Sequence, residues 1–136
     1  MEEKRVIGID FGKKRIGLAL SDPLLTFAYA YKTLTNDKNL WKNMSVIITD
    51  MNVFRVILGL PTNEKNMELI KDVSLFKNQL EKRFKLEVIT WNEEYTSVIA
   101  QERIIESVAS KKKRRDKGLV DRNSAAVILQ EYLDSQ

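Results

Sequence analysis

The stretch VIGIDF, residues Val6–Phe11, decides the fold. Its nearly continuous apolar character is typical of a strand that is buried on both faces, because such a strand does not alternate polar and apolar residues. Gly12 and the two lysines that follow it are typical of a turn. The sequence therefore begins with a buried strand that leads into a tight turn.

The next residues continue the extended pattern, and the pattern then changes to helical spacing. Arg15–Leu20 alternates large and small residues, and Phe27–Tyr31 alternates aromatic residues with alanine. Three strands joined by short turns predict an antiparallel meander. After the meander, the pattern predicts a helix over Leu40–Met51, which Asp37 could cap, and then a strand over Arg55–Gly59. A helix over about Glu64–Phe84, a strand over Leu86–Trp91 and a helix over about Thr96–Ser110 follow. A closing helix begins near Asp121 and has its apolar residues between Ala125 and Leu133.

Alternation of strands and helices in the second half favours parallel strands with right-handed crossovers. The predicted fold class is therefore α/β, with a mixed sheet made of the meander and parallel strands, and with helices on both faces. A length of 136 residues is enough for one packed core and too short for two ordinary domains. We expect a single domain over residues 1–136.

The chain contains no histidine and no cysteine. This composition excludes Ser-His-Asp and Cys-His catalysis, a Cys/His zinc site and a disulfide. Any catalysis must use carboxylates, lysines, hydroxyls or a hard metal ion. No apolar run approaches the length of a membrane span, so we expect a soluble, cytoplasmic protein that does not bind membranes.

Acidic residues stand at three places where a site is expected. Asp10 ends the first strand, Glu93 and Glu94 follow the strand that ends at Trp91, and Asp121 lies where the closing helix is predicted to begin. Sites in open α/β sheets gather at the carboxyl ends of strands, and converging carboxylates are stabilised by divalent cations such as Mg²⁺. Two such ions can hold the attacking and leaving oxygens of a phosphodiester in line.

Each acidic residue also has a simpler interpretation. Asp10 could form an Asx turn into the hairpin. Asp121 could cap the closing helix, and Glu93 with Glu94 could be a solvated pair near a helix N-terminus. The spacing in the sequence does not choose between these interpretations and a metal site.

Positive charge is concentrated in two segments. Residues 4–15 and 111–122 together carry +9, whereas the whole chain carries +4, so the remaining residues carry −5. The run Lys111–Arg115 is either a solvated loop or a surface that contacts the phosphate backbone of a nucleic acid. A basic block beside a carboxylate site favours the phosphate contact, because cations position a polyanion for cleavage.

Four sequence blocks together resemble the YqgF family over nearly the whole chain. They are Gly8–Gly17 (GIDFGKKRIG), Val56–Pro61 (VILGLP), Asn92–Ser97 (NEEYTS), and Val120-Asp121 with Ser124–Ala126. That family is described as nucleases of pre-16S ribosomal RNA or Holliday junction resolvase-like proteins with a ribonuclease H-like fold. The resemblance implies that Asp10, Glu93 and Asp121 are catalytic carboxylates that bind Mg²⁺ or Mn²⁺.

Three positions depart from the family pattern. Asn92 stands where the family usually has Asp, Glu94 where it has Arg, and Leu119 where it has Lys. Loss of basic side chains weakens the attraction for a polyanion. The three implied metal ligands are retained.

The leading hypothesis is a metal-dependent endonuclease that processes the 5′ end of pre-16S rRNA in ribosome biogenesis. Its expected partners are pre-rRNA or branched DNA and ribosomal precursor particles, and the protein is expected to be a monomer or weak homodimer. The alternatives are a Holliday junction resolvase-like DNA nuclease, a nucleic-acid or ribosome-binding module without catalysis, and an ATP-binding domain of the actin and sugar-kinase type. The expected nucleic-acid-binding residues are Lys13, Lys14, Lys112, Lys113, Arg114 and Arg115.

Overall fold

The computed structural model describes residues 3–60, 67–92 and 117–136. Five strands and three helices lie within these ranges. In chain order they are β1 (Arg5–Asp10), β2 (Arg15–Ser21), β3 (Ala28–Thr35), α1 (Leu40–Asp50), β4 (Val53–Leu60), α2 (Met67–Phe84), β5 (Glu87–Asn92) and α3 (Lys117–Asp134).

The five strands form one mixed sheet in the order β3-β2-β1-β4-β5. β1 pairs antiparallel with β2, and β2 pairs antiparallel with β3, which confirms the predicted meander. β4 pairs parallel with β1 and with β5 on its other side. β1 is therefore an interior strand, as its apolar sequence predicted.

Helices cover both faces of the sheet, and a hydrophobic core lies on each. Alternation along β1 sends Ile7 and Ile9 to the face that α1 and α2 cover, and Val6 to the face that α3 covers. The apolar stripe of α1 is Leu40, Met44 and Ile47, and that of α2 is Val73, Phe76 and Leu80. No helix among the described residues is long and apolar enough to cross a membrane.

The parallel arrangement brings three strand ends to one edge of the sheet. β1 ends at Asp10, β4 at Leu60 and β5 at Asn92. In the register of the sheet, Ile9 lies beside Leu58, and Leu60 lies beside Asn92. We call this the carboxyl edge; Asp10 lies on it.

The predicted cap of α1 and the predicted start of α3 are wrong, whereas α1 begins at Leu40 as predicted. α1 has Asn39 rather than Asp37 as its N-cap residue, although the Asp37 carboxylate accepts a hydrogen bond from the Asn39 N–H at 2.9 Å just ahead of the helix. α3 begins at Lys117, so Asp121 lies inside the helix and is not its cap. The predicted helix over Thr96–Ser110 lies outside the described residues.

Leu80 and Leu75 provide a matched test of the core under α2. Leu80 is 0% exposed and Leu75 is 60% exposed on the same helix. We expect Leu80→Ala to lower the free energy of unfolding by about 2–5 kcal/mol, since it removes packing and leaves a cavity. Leu75→Ala should change it by less than about 0.5 kcal/mol. Urea denaturation followed by circular dichroism measures both, and equal losses of stability would contradict this placement of α2.

Candidate active site

β1 places Asp10 at the carboxyl edge on the α3 face of the sheet. Asp10 lies two and four residues after Gly8 and Val6, and residues at this spacing share a face of a strand. Gly8 itself meets α3, because a Cβ at this position would lie 2.8 Å from the Cβ of Leu129. The partly buried Asp10 therefore belongs to the face against which α3 packs.

Gly17 allows α3 to approach the sheet directly beside Asp10. In the β1–β2 register, Gly17 is the partner of Asp10. A Cβ at Gly17 would overlap the carbonyl group of Asp121 and would lie 2.7 Å from the backbone nitrogen of Arg122. The backbone of Asp121 thus contacts Gly17, which lies directly beside Asp10 in the sheet. The structure therefore brings Asp10 and Asp121 close to each other.

Arg15 makes an ion pair with Asp121. Its Nε donates a hydrogen bond to Oδ2 of Asp121 at 2.9 Å, between side chains that are 39% and 23% exposed. Arg15 is two residues before Gly17, so it lies on the same face of β2. A guanidinium therefore lies beside Asp121 at the carboxyl edge, on the face of the sheet that Asp10 shares with its register partner Gly17.

Polar contacts from three further strands hold α3 on the sheet. They stand at the carboxy-terminal end of α3, whereas the Arg15 contact stands near its beginning. The helix is thereby fixed along its length, which fixes the position of Asp121. The contacts join Ala28 N–H to Gln130 Oε1 at 2.8 Å, Arg55 Nη1 to the Tyr132 hydroxyl at 2.8 Å, and Trp91 Nε1 to Glu131 Oε2 at 3.0 Å.

The turn after Asp10 carries the two lysines expected to bind nucleic acid. Asn36 holds this turn, since its Nδ2 donates to the Gly12 carbonyl and its backbone N–H donates to the Lys14 carbonyl, both at 2.9 Å. Lys13 forms an ion pair with Glu68 at 3.0 Å, between well-exposed side chains. Lys14 is also exposed. The turn presents both lysines to solvent next to the carboxyl edge.

A groove of about 300 Å³ lies beside this turn on the opposite face of the sheet. Phe11, Trp41 and Phe76 contribute to its wall, and the rings of Trp41 and Phe76 stack with centroids 5.2 Å apart. Neither Asp10 nor Asp121 lines it. The candidate site is therefore the α3 side of the edge, and the aromatic residues belong to the packing between the sheet and the helices α1 and α2.

The remaining predicted site residues lie outside the described part of the chain. These are Glu93 and the basic residues Lys112, Lys113, Arg114 and Arg115. Asn92, which directly precedes Glu93, ends β5 at the carboxyl edge. Within residues 3–60, 67–92 and 117–136, no three acidic side chains gather into a group that could hold a metal ion.

Sequence reasoning missed the specific roles of Arg15, Gly17 and Asn36. The alternation of β2 could have placed Arg15 and Gly17 on one face, but pairing either with Asp121 requires the tertiary structure. Asn36 had no signal, because its importance comes from a turn that is 24 residues away in the chain.

Comparison with solved structures shows the fold class of this protein. The Thermus thermophilus RuvC, solved in complex with a Holliday junction substrate, has a TM-score of 0.62 at 14% identity, with 97% of this chain and 94% of that chain covered. The fowlpox virus resolvase, solved in a complex with Holliday junction DNA, has a TM-score of 0.56 at 18% identity, with 96% and 97% covered. The chain has the ribonuclease H-like fold that its resemblance to the YqgF family implied.

Sequence comparison gives the family. The sequence model described as "RuvX: Holliday junction resolvase" matches residues 4–135, and the chain belongs to this family, which is the YqgF family of the sequence resemblance. Proteins named "Putative pre-16S rRNA nuclease" are similar over nearly their full length. The Chlorobaculum tepidum protein is 39% identical, with 97% of this chain and 94% of the relative covered, and the Bacteroides thetaiotaomicron protein is 38% identical, with 97% of each covered. The Listeria monocytogenes protein is 33% identical, with 96% and 98% covered.

Gly17→Ala tests the contact that brings the two acids together. The added methyl group overlaps the Asp121 carbonyl, so α3 or β2 must move, and we expect a loss of about 1–3 kcal/mol in the free energy of unfolding. Gly8→Ala, which meets Leu129 instead, should cost a similar amount, whereas Ser74→Ala on the exposed side of α2 should change stability by less than about 0.5 kcal/mol. Urea denaturation measures all three. A Gly17→Ala protein as stable as the wild type would contradict the close approach of α3.

Proposed function

We propose that this protein is a divalent-metal-dependent endonuclease that hydrolyses phosphodiester bonds in structured nucleic acid, with the precursor of 16S rRNA as its substrate. The observation that carries the proposal is the convergence of Asp10 and Asp121 across Gly17, at the carboxyl edge of a ribonuclease H-like sheet. The family and the names of the relatives support nuclease chemistry and an rRNA substrate. Such a nuclease would act in the cytoplasm, as a monomer or weak homodimer, on rRNA in ribosomal precursor particles.

The donor set fits a hard divalent cation. Asp10 and Asp121 supply carboxylate oxygens, the ligands that Mg²⁺ and Mn²⁺ prefer, and the chain has no histidine or cysteine to select a softer metal. We assign Glu93 as the third ligand, since it follows the end of β5 at the same edge. A bound cation would neutralise charge on the phosphodiester and lower the pKa of a bound water.

The chain's own residues perform the remaining tasks. β1 and α3 hold Asp10 and Asp121 rigidly, so the two carboxylates do not have to be ordered when substrate binds. Lys13 and Lys14 lie beside the edge and are placed to contact the phosphate backbone. The exposed Lys13–Glu68 pair contributes less than about 1 kcal/mol, so a phosphate readily replaces Glu68. We also assign the basic run Lys112–Arg115 to nucleic-acid binding, on its charge alone.

Asp10→Asn and Asp121→Asn test the catalytic assignment. Each replaces a charged oxygen ligand with an amide, and we expect cleavage of a pre-16S rRNA fragment in Mg²⁺ or Mn²⁺ to fall by more than about 100-fold. Asp50→Asn is the charge-matched control, because Asp50 ends α1 at the opposite edge of the sheet, next to the start of β4. Cleavage rates on end-labelled RNA give the comparison. Equal rates for Asp10→Asn and wild type would remove the proposed active site.

A parallel assay on a four-way DNA junction separates the two nuclease hypotheses. The family description, a Holliday junction resolvase, favours the junction as the second candidate substrate. Cleavage of the junction but not of the RNA would replace the rRNA proposal with a resolvase. Metal-independent binding of both without cleavage would leave the third hypothesis, a binding module, which the departures at Asn92, Glu94 and Leu119 motivated.

Salt dependence tests the basic run. Changing Lys112, Lys113, Arg114 and Arg115 together to Gln should lower the slope of log K against log salt by roughly 0.7–0.9 for each phosphate that the protein no longer binds. The control changes Lys71, Lys77, Lys82 and Arg83 of α2 to Gln. It removes the same charge from residues that we do not assign to nucleic-acid binding, so most of the slope should remain. Fluorescence anisotropy with labelled RNA at several salt concentrations, without divalent metal, gives the slopes. Equal effects of the two sets would show that only net charge matters.

A further inference from the structure

Arg15 lies where a metal ion at Asp10 and Asp121 would compete with it. It begins β2, shares a face with Gly17, and contacts Asp121 through Nε at 2.9 Å. Gly17 is in turn the register partner of Asp10. Arg15 is thus paired with Asp121, the carboxylate that binds a divalent cation in the proposed function.

In the metal-free protein, the negative charges of Asp10 and Asp121 favour a positively charged side chain at the carboxyl edge. Asp10 and Asp121 are brought together by the backbone contact at Gly17, and like charges in a partly buried place repel each other. Arginine keeps its charge at every pH relevant to proteins, so Arg15 offsets this repulsion permanently. The pair is only partly exposed, so solvent screens it less than a surface pair.

The same charge opposes a bound metal ion. A divalent cation on Asp121 would stand beside the fixed positive charge of Arg15. Moreover, Oδ2 of Asp121, which accepts from Arg15, is one of only two oxygens on that carboxylate. Arg15 therefore opposes a metal ion at Asp121 in two ways, through its positive charge and through the oxygen that it occupies.

We propose that Arg15 is a built-in counter-ion, which holds Asp121 in the metal-free protein and competes with the divalent cation for that carboxylate. This inference rests on the proposed function, since it requires Asp121 to be a metal ligand. Arg15 is a positioning residue in this scheme and acts through Asp121. Arg15 lowers the affinity of the site for a divalent cation and stabilises the metal-free protein.

Mn²⁺ titration calorimetry on the full chain tests whether Arg15 competes with the metal or only orients Asp121 to bind it. We expect Arg15→Gln to bind Mn²⁺ about tenfold more tightly than wild type, because the competing charge is gone; tenfold corresponds to about 1.4 kcal/mol. Arg15→Lys keeps the charge but loses the Nε hydrogen bond to Oδ2 of Asp121, so it should bind Mn²⁺ more tightly than wild type and less tightly than Arg15→Gln. Lys32→Gln, which removes an exposed charge from β3, should leave the affinity unchanged.

Thermal unfolding in a chelator supplies the second measurement. Without metal, Arg15→Gln should melt at a lower temperature than wild type and Lys32→Gln, since Asp121 loses its partly buried ion pair with Arg15. Adding Mn²⁺ should then raise the melting temperature of Arg15→Gln by more than that of wild type, because ligand stabilisation grows with affinity.

The outcomes separate this inference from the proposed function. Unchanged or weaker Mn²⁺ binding by Arg15→Gln overturns the competition while leaving the nuclease proposal in place. Should Arg15→Gln fail to fold, tighter Mn²⁺ binding by Arg15→Lys supports the competition, and equal or weaker binding overturns it. If wild type binds no Mn²⁺, both the metal site of the proposed function and the competition are wrong. Cleavage by wild type in the absence of metal would then identify a nuclease that does not depend on metal.

Discussion

The close approach of α3 to β2 at Gly17 is the constraint on which the site depends. Glycine is the one residue type without a Cβ, and at this position a Cβ would overlap the backbone of Asp121. Gly8 allows a second close contact further along α3, against Leu129. The helix consequently lies flat on the central strands, with backbone against backbone where a larger residue would separate the layers. The position of Asp121 relative to Asp10 is set by this contact and not by the two side chains themselves.

This packing has an electrostatic cost that the rest of the edge must offset. Two acidic residues meet where the sheet ends, and Arg15 supplies the compensating charge from the same face of β2. Around them, Lys13 and Lys14 add positive charge on a turn that Asn36 holds in place. The edge therefore combines a small acidic centre with basic surroundings, which is the charge pattern that a polyanion with a metal counter-ion requires.

Much of the fold was predictable from the sequence, because hydrophobic periodicity reports which residues face a core. The apolar run of β1 predicted its interior position, and the stripes of α1 and α2 predicted their buried faces. The start of α3 was not predictable, since Lys117, Gly118 and Arg122 do not resemble the apolar part of that helix. For the site, strand ends indicated Asp10, but the contacts of Gly17 and Arg15 with Asp121 depend on tertiary packing. The assignments of Glu93 and of Lys112–Arg115 stay predictions.

The ion pair between Arg15 and Asp121 joins residues that are 106 positions apart in the chain. On the ribosome, the meander of β1, β2 and β3 is complete while α3 has still to be synthesised. Asp10 is therefore synthesised well before Asp121, and the acidic centre forms only once α3 packs on the sheet. A growing chain carries Asp10 and its basic turn but lacks Asp121, so the candidate site is incomplete until α3 has emerged and docked on the two glycines.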